Sequence, residues 1–87
     1  MGGKNAPESR EMILHTGGYL AFYMPDQKST LEIHLEKATS LLEIVNRLEI
    51  PAAEIFLTTV NGTMVELKEA YVEDGDEVRI LSAVDGG

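Results

Sequence analysis

The chain has 87 residues, 44% of them hydrophobic and 25% charged, which suits one folded domain with a modest core and little room for a private active site. Fifteen acidic residues against seven basic ones give a formal net charge of -8, which repels phosphate backbones and argues against nucleic acid as a partner. The lack of cysteine removes disulfides, cysteine-ligated zinc, iron–sulfur clusters and thiol nucleophiles together.

Residues 1–10 are polar, contain Pro7 and show no periodicity, so a flexible N-terminal extension is expected there. Met1 to Ala6 contains no apolar signal core, and Ala6 stands where a myristoylation motif following Gly2 needs Ser or Thr. No apolar run approaches the ~20 residues of a bilayer span, so a soluble cytoplasmic protein with no membrane partner is expected.

Glu11 to Thr16 is a short apolar run ending at Gly17-Gly18, the pattern of a first strand. Tyr19 to Pro25 either continues that strand or folds as a compact turn over the core, and Asp26 to Ser29 forms a polar turn. Thr30 to Glu36 alternates, with Leu31, Ile33 and Leu35 on one face and Glu32, His34 and Glu36 on the other, predicting a half-buried strand antiparallel to the first. Ser40 followed by Glu43 fits a capping box, and Leu41, Leu42, Val45 and Leu48 recur at helical spacing, so a helix is predicted that stops before Pro51.

Glu54 to Val60 is rich in strand-forming residues, and Asn61-Gly62 joins it to Thr63 to Leu67 as a two-residue hairpin. An acidic loop from Lys68 to Asp76 follows, with Asp74-Gly75-Asp76 as a tight turn into a last strand, Glu77 to Val84. In that strand Val78, Ile80 and, less clearly, Ser82 point one way, while Arg79, Leu81 and Ala83 point the other. A bulge would invert the alternation and bury Leu81. The sum is one α+β domain over residues 11–84, a mixed four- to five-stranded sheet with one helix packed across it, followed by a protruding tail at 85–87.

Little in this chain suggests catalysis. His15 and His34 meet across the first two strands only if the register allows, and a third metal ligand is not evident, so neither a metal nor any other cofactor is assigned. Asp74-Gly75-Asp76-Glu77 lacks the twelve-residue ligand spacing of a calcium loop. No nucleophile–base pair or phosphate-cradling loop is present, so no catalytic residue is expected.

The C-terminus carries the chemistry instead. Two terminal glycines arise by chance in roughly one chain in two hundred, and here they follow a predicted strand. Glycines carry no side chain, so such a tail threads a narrow channel; Ala83 to Gly87 extend about 15 Å, enough to reach a partner's ATP site. There the carboxylate attacks the α-phosphate of ATP, and the resulting acyl adenylate accepts a sulfur or amine nucleophile. Leu81, Ala83, Val84 and Asp85 are the expected partner-binding residues, with nearby acids steering the chain to a basic rim.

From Gly17 onward the sequence resembles the MoaD/ThiS family of ubiquitin-like sulfur carriers. The resemblance rests on Gly18-Tyr19-Leu20 with Pro25, Ala38-Thr39 before Leu41-Leu42 and Leu48, Val60-Asn61-Gly62, Asp74-Gly75-Asp76-Glu77-Val78 and the terminal Gly86-Gly87. It implies a β-grasp fold and a chain that is no enzyme but the substrate of an activating adenylyltransferase, which adenylates Gly87 beside Gly86 on the way to a thiocarboxylate. A synthase subunit that accepts the sulfur, for molybdopterin, thiamine or related biosynthesis, is implied as a second partner, with the carrier monomeric when free. The Ala83-Val84-Asp85 stretch lacks the Pro-Pro common before the glycines of molybdopterin carriers. A protein modifier joined to lysines through Gly87 shares the same chemistry up to the adenylate, and a β-grasp interaction module whose tail is never activated is the third reading.

Overall fold

Alternating burial over β1 (Met12–Gly17) places Met12, Leu14 and Thr16 in the interior and Ile13, His15 and Gly17 on the opposite face. The structure, a computed structural model, describes residues 10–83. The expected extension, apart from Arg10, Val84 at the end of the expected last strand, and the expected tail at 85–87 lie outside the described residues.

After β1 the chain adopts two short 3₁₀ segments, Gly18–Tyr23 and Pro25–Gln27, so the compact alternative for Tyr19 to Pro25 is the one adopted. Leu20 and Met24 plug into the core from this segment while Phe22 stays exposed. Asp26 and Gln27 take left-handed backbone angles, φ 57° and 56°, in the polar turn that leads to β2 (Thr30–Ile33). β2 runs antiparallel to β1, with Met12 opposite Ile33 and His15 opposite Thr30. It is shorter than the run of alternation because β1 offers no partner beyond Met12; Leu35 instead donates its N–H to Asp74 Oδ1 at 2.7 Å and keeps its side chain in the core.

β3 (Thr39–Ser40) passes directly into α1 (Leu41–Arg47), which buries Leu41, Ile44 and Val45. Ser40 caps the helix, its Oγ accepting from the Glu43 N–H at 3.4 Å, and Glu43 pairs with Arg47 one turn later. The helix closes by a Schellman motif: the Glu49 N–H donates to Asn46 and the Ile50 N–H to Val45, each at 3.0 Å. Glu49 sits at φ 62°, a position where glycine is the unstrained residue, and Ile50 is buried beyond it.

β4 (Ile55–Val60) and β5 (Thr63–Met64) form a hairpin through Asn61 and Gly62, whose φ values of 53° and 85° fit a type I′ turn. β5 ends before the expected Leu67: Val65 gives one more hydrogen bond, to the Thr58 carbonyl at 3.0 Å, and the chain then turns away. β6 (Tyr71–Val72) falls inside the stretch read as a loop; it pairs antiparallel with β3 as a small separate sheet and carries Val72 into the core.

β7 (Glu77–Ser82) inserts between β1 and β4, parallel to the first and antiparallel to the second, giving the five-stranded order β2-β1-β7-β4-β5. Met12, Leu14, Val78 and Ile80 meet Leu41, Ile44, Val45 and Val72 in one core between sheet and helix. A mixed five-stranded sheet crossed by one helix is the β-grasp, ubiquitin-like architecture. No helix among the described residues is long and apolar enough to cross a membrane.

The strained helix stop gives a direct stability test. Glu49→Gly should stabilise the fold by about 0.5–1 kcal/mol, and so raise the melting temperature by roughly 2–8 °C, because relief of the left-handed conformation outweighs the extra freedom glycine gains on unfolding. Calorimetry of the two proteins at the same pH measures it, and a lowered melting temperature would contradict the assigned cap.

Candidate functional site

The face of the sheet away from the helix is defined by the register. Gly17 lies opposite Leu81 on the parallel ladder, and Leu57 lies opposite Leu81 on the antiparallel one. Val78 and Ile80 are fully buried, so Glu77, Arg79 and Leu81 occupy the outer face, and Leu81 is 40% exposed. Met64, opposite Thr59, shares that face and is exposed.

Two local irregularities shape this surface. The pairing of β4 with β7 shifts register between Ile55 and Leu57, and the extra residue, Phe56, is 75% exposed. Gly17 allows a close approach on the other side, since a Cβ there would collide with Leu81 Cδ2. Leu81 therefore lies over β1 with Phe56 and Leu57 on the neighbouring strand, an apolar patch beside the end of β7.

At the end of β7, the Tyr19 N–H donates to Ser82 Oγ at 3.3 Å, tying the first 3₁₀ segment to the last strand. Tyr19, Glu54, Ser82 and Ala83 line a cleft of about 310 Å³. The Tyr23 hydroxyl donates to Glu54 Oε1 at 3.3 Å. Partial loss of water, followed by the negative charge of Glu54 and the hydrogen bond to it, holds the Tyr23 phenol above its usual pKa.

The remaining titratable clusters lie elsewhere. His15 Nε2 donates to Glu77 Oε2 at 2.8 Å, and Arg79 reaches the same oxygen at 3.4 Å. His34 sits beyond the end of β2 with its Nδ1 2.8 Å from Asp74 Oδ2, so the register sends the two histidines to different carboxylates. Glu11 and Glu32 are neighbours at that far edge. The Glu11 carboxyl is held above the ordinary range by its hydrogen bond with Glu32 first, then by partial desolvation and the charges of Glu32 and Asp74, with His34 opposing.

Of the residues expected from sequence to bind a partner, Leu81 and Ala83 are exposed at the end of β7, and Val84 and Asp85 lie outside the described residues, as do Gly86 and Gly87. Phe56, Met64 and the Tyr19–Glu54 cleft were not anticipated. The only sequence signal for Phe56 is its place in Ile55-Phe56-Leu57, three consecutive apolar residues of which a pleated strand must turn at least one outward.

The Glu11–Glu32 pair predicts a pH-dependent stability. A raised carboxyl pKa in the folded state means its stabilising protonated form is lost as pH rises through that value. Glu11→Gln should therefore melt at a higher temperature than the wild type at pH 7, with the gap narrowing as both are taken down through the carboxyl range. A gap that widens on acidification would contradict the pairing.

A family model described as the ThiS family matches residues 19–87 of the chain. No curated protein matches it.

Proposed function

Because the chain belongs to the ThiS family, small ubiquitin-like sulfur carriers that are not themselves enzymes, we propose that its working group is the carboxylate of Gly87. In this reading a carboxylate oxygen attacks the α-phosphorus of ATP held by an activating adenylyltransferase, and pyrophosphate leaves. A sulfur nucleophile then displaces AMP from the acyl carbon; when the nucleophile is a persulfide, a thiol cleaves the S–S bond, leaving a thiocarboxylate on Gly87. An acceptor synthase consumes that sulfur in making molybdopterin, thiamine or a related product, in the cytoplasm, and the carboxylate is regenerated.

The observation that supports this reading best is the termination of the central strand β7 at Ser82 beside an exposed apolar patch, followed by the stretch Ala83 to Gly87 with its paired glycines. Five extended residues reach about 15 Å, the scale of a buried nucleotide site. The chain offers its own chemistry little help, and none is needed: adenylation and sulfur transfer use groups of the partners, while this protein supplies a narrow, side-chain-free leash and a surface to be held by.

Leu81, Ala83, Val84 and Asp85 are the docking residues in this proposal, with Gly86 and Gly87 passing into the partner's channel. Leu81 anchors because it is apolar, partly exposed and fixed over β1 by the missing side chain at Gly17. The net charge of -8 draws the carrier to a basic rim and raises the encounter rate, an effect that weakens with salt.

Pyrophosphate exchange with the cognate activating enzyme tests the proposal. The full chain should support exchange, a chain lacking Gly86-Gly87 should not, and Leu81→Glu should bind the enzyme about tenfold or more weakly with its melting temperature unchanged. Equal exchange with and without the glycines would sink the proposal; a collapsed melting temperature in Leu81→Glu would assign Leu81 to the core instead.

A further inference from the structure

Glu54 is an exposed acid that lines the cleft at the end of β7 and accepts a hydrogen bond from a tyrosine. The ion pairs among the described residues join His15 and Arg79 to Glu77, His34 to Asp74 and Arg47 to Glu43, and none involves Glu54. Its carboxylate is nonetheless held in place, because the Tyr23 hydroxyl donates to Oε1 and so orients it. It lines the cleft at the end of β7 together with Tyr19, Ser82 and Ala83.

We propose that this cleft is a receptor for the guanidinium of one arginine, carried by the protein that grips the tail. This rests on the reading that the tail enters a partner. The fit is chemical: a fixed carboxylate accepts N–H bonds from the planar fork, and Tyr19, partly exposed and lining the same cleft, supplies an aromatic ring for the delocalised cation to stack on. Arginine suits the site better than lysine because it stacks and bonds at once, while the ammonium of lysine is a more strongly hydrated point charge. An uncharged apolar side chain would leave the Glu54 carboxylate without a cation in a place the partner covers, a costly arrangement once water is excluded. The small side chain of Ala83 keeps the cleft open, and its position one residue past β7 means that whatever seizes the tail passes over it.

The site therefore adds a polar, orientation-fixing contact to the apolar patch around Leu81. The two lie together at the end of β7: the patch gathers Leu81, Gly17 and the bulged Phe56, and the cleft gathers Tyr19, Glu54, Ser82 and Ala83. A partner engaging both would fix the rotation of the carrier as well as its position.

The test uses the full chain labelled with nitrogen-15 and three small probes: N-acetyl-arginine amide, its neutral citrulline analogue and N-acetyl-leucine amide. Arginine amide should give saturable shifts at the backbone amides of Tyr19, Glu54 and Ser82, with the citrulline analogue about fivefold weaker. Glu54→Gln should bring arginine down to the citrulline level, while Glu66→Gln, at an exposed carboxylate elsewhere, should leave it unchanged. Melting curves confirm that both variants are folded. Leucine amide binding as tightly as arginine amide, or arginine shifts that respond to Glu66 as much as to Glu54, would overturn the proposal. The titration involves no activating enzyme, so a failure of the carrier reading leaves its outcome intact.

Discussion

The parallel pairing of β1 with β7 is the constraint on which the rest of the molecule depends. Parallel neighbours cannot be joined by a tight turn, so everything from Gly18 to Asp76 serves as the connection between two adjacent strands. That connection contains the helix, which covers the sheet, and the β4–β5 hairpin, which pairs on the other side of β7. The last strand thereby becomes the central one, hydrogen-bonded on both edges and buried on one face through Val78 and Ile80. In the proposed function, a strand so tied is a firm base for a tail that a partner must pull on.

Which face β7 presents is set at its other end. A slip of one residue would exchange Leu81 and Ile80 between solvent and core, so the register must be pinned. The Asn61 side chain does part of this work: its Oδ1 accepts from the Glu77 N–H and its Nδ2 donates to Asp76 Oδ1, both at 2.9 Å. Asp76 in turn accepts from the Glu73 N–H at 2.9 Å through its second oxygen, and the Asp76 carbonyl accepts from Ile13 at 3.0 Å. The hairpin turn, the acidic turn and the start of β1 are thus locked to the first residue of β7, and the outward direction of Leu81 follows from that lock by simple alternation.

Much of this was legible in the sequence wherever a signal is local. The alternation of Val78 to Leu81, the Asn61-Gly62 turn and the Ser40–Glu43 cap each depend on a few neighbouring residues, and the structure has all three. What escaped lacks a local signal. Two-residue strands such as Thr39–Ser40 and Tyr71–Val72 are too short to display a period, and their pairing is decided by tertiary contact. The helix does stop before Pro51 as expected, but the left-handed Glu49 that closes it leaves no mark because glycine, the usual marker, is absent there. The Tyr19–Glu54 cleft joins residues far apart in the chain, and the register shift that exposes Phe56 leaves no mark beyond an unbroken apolar triplet.

In the proposed function this protein is a scaffold that presents its own carboxylate for others to transform. Intact-mass spectrometry of the full chain, after incubation with an activating enzyme, ATP and a persulfide donor with reducing thiol, measures that most directly. The account predicts a mass increase equal to the replacement of one oxygen by sulfur, confined by fragmentation to Gly87. An unmodified Gly87 with sulfur elsewhere, or higher-mass conjugates in place of a thiocarboxylate, would contradict it.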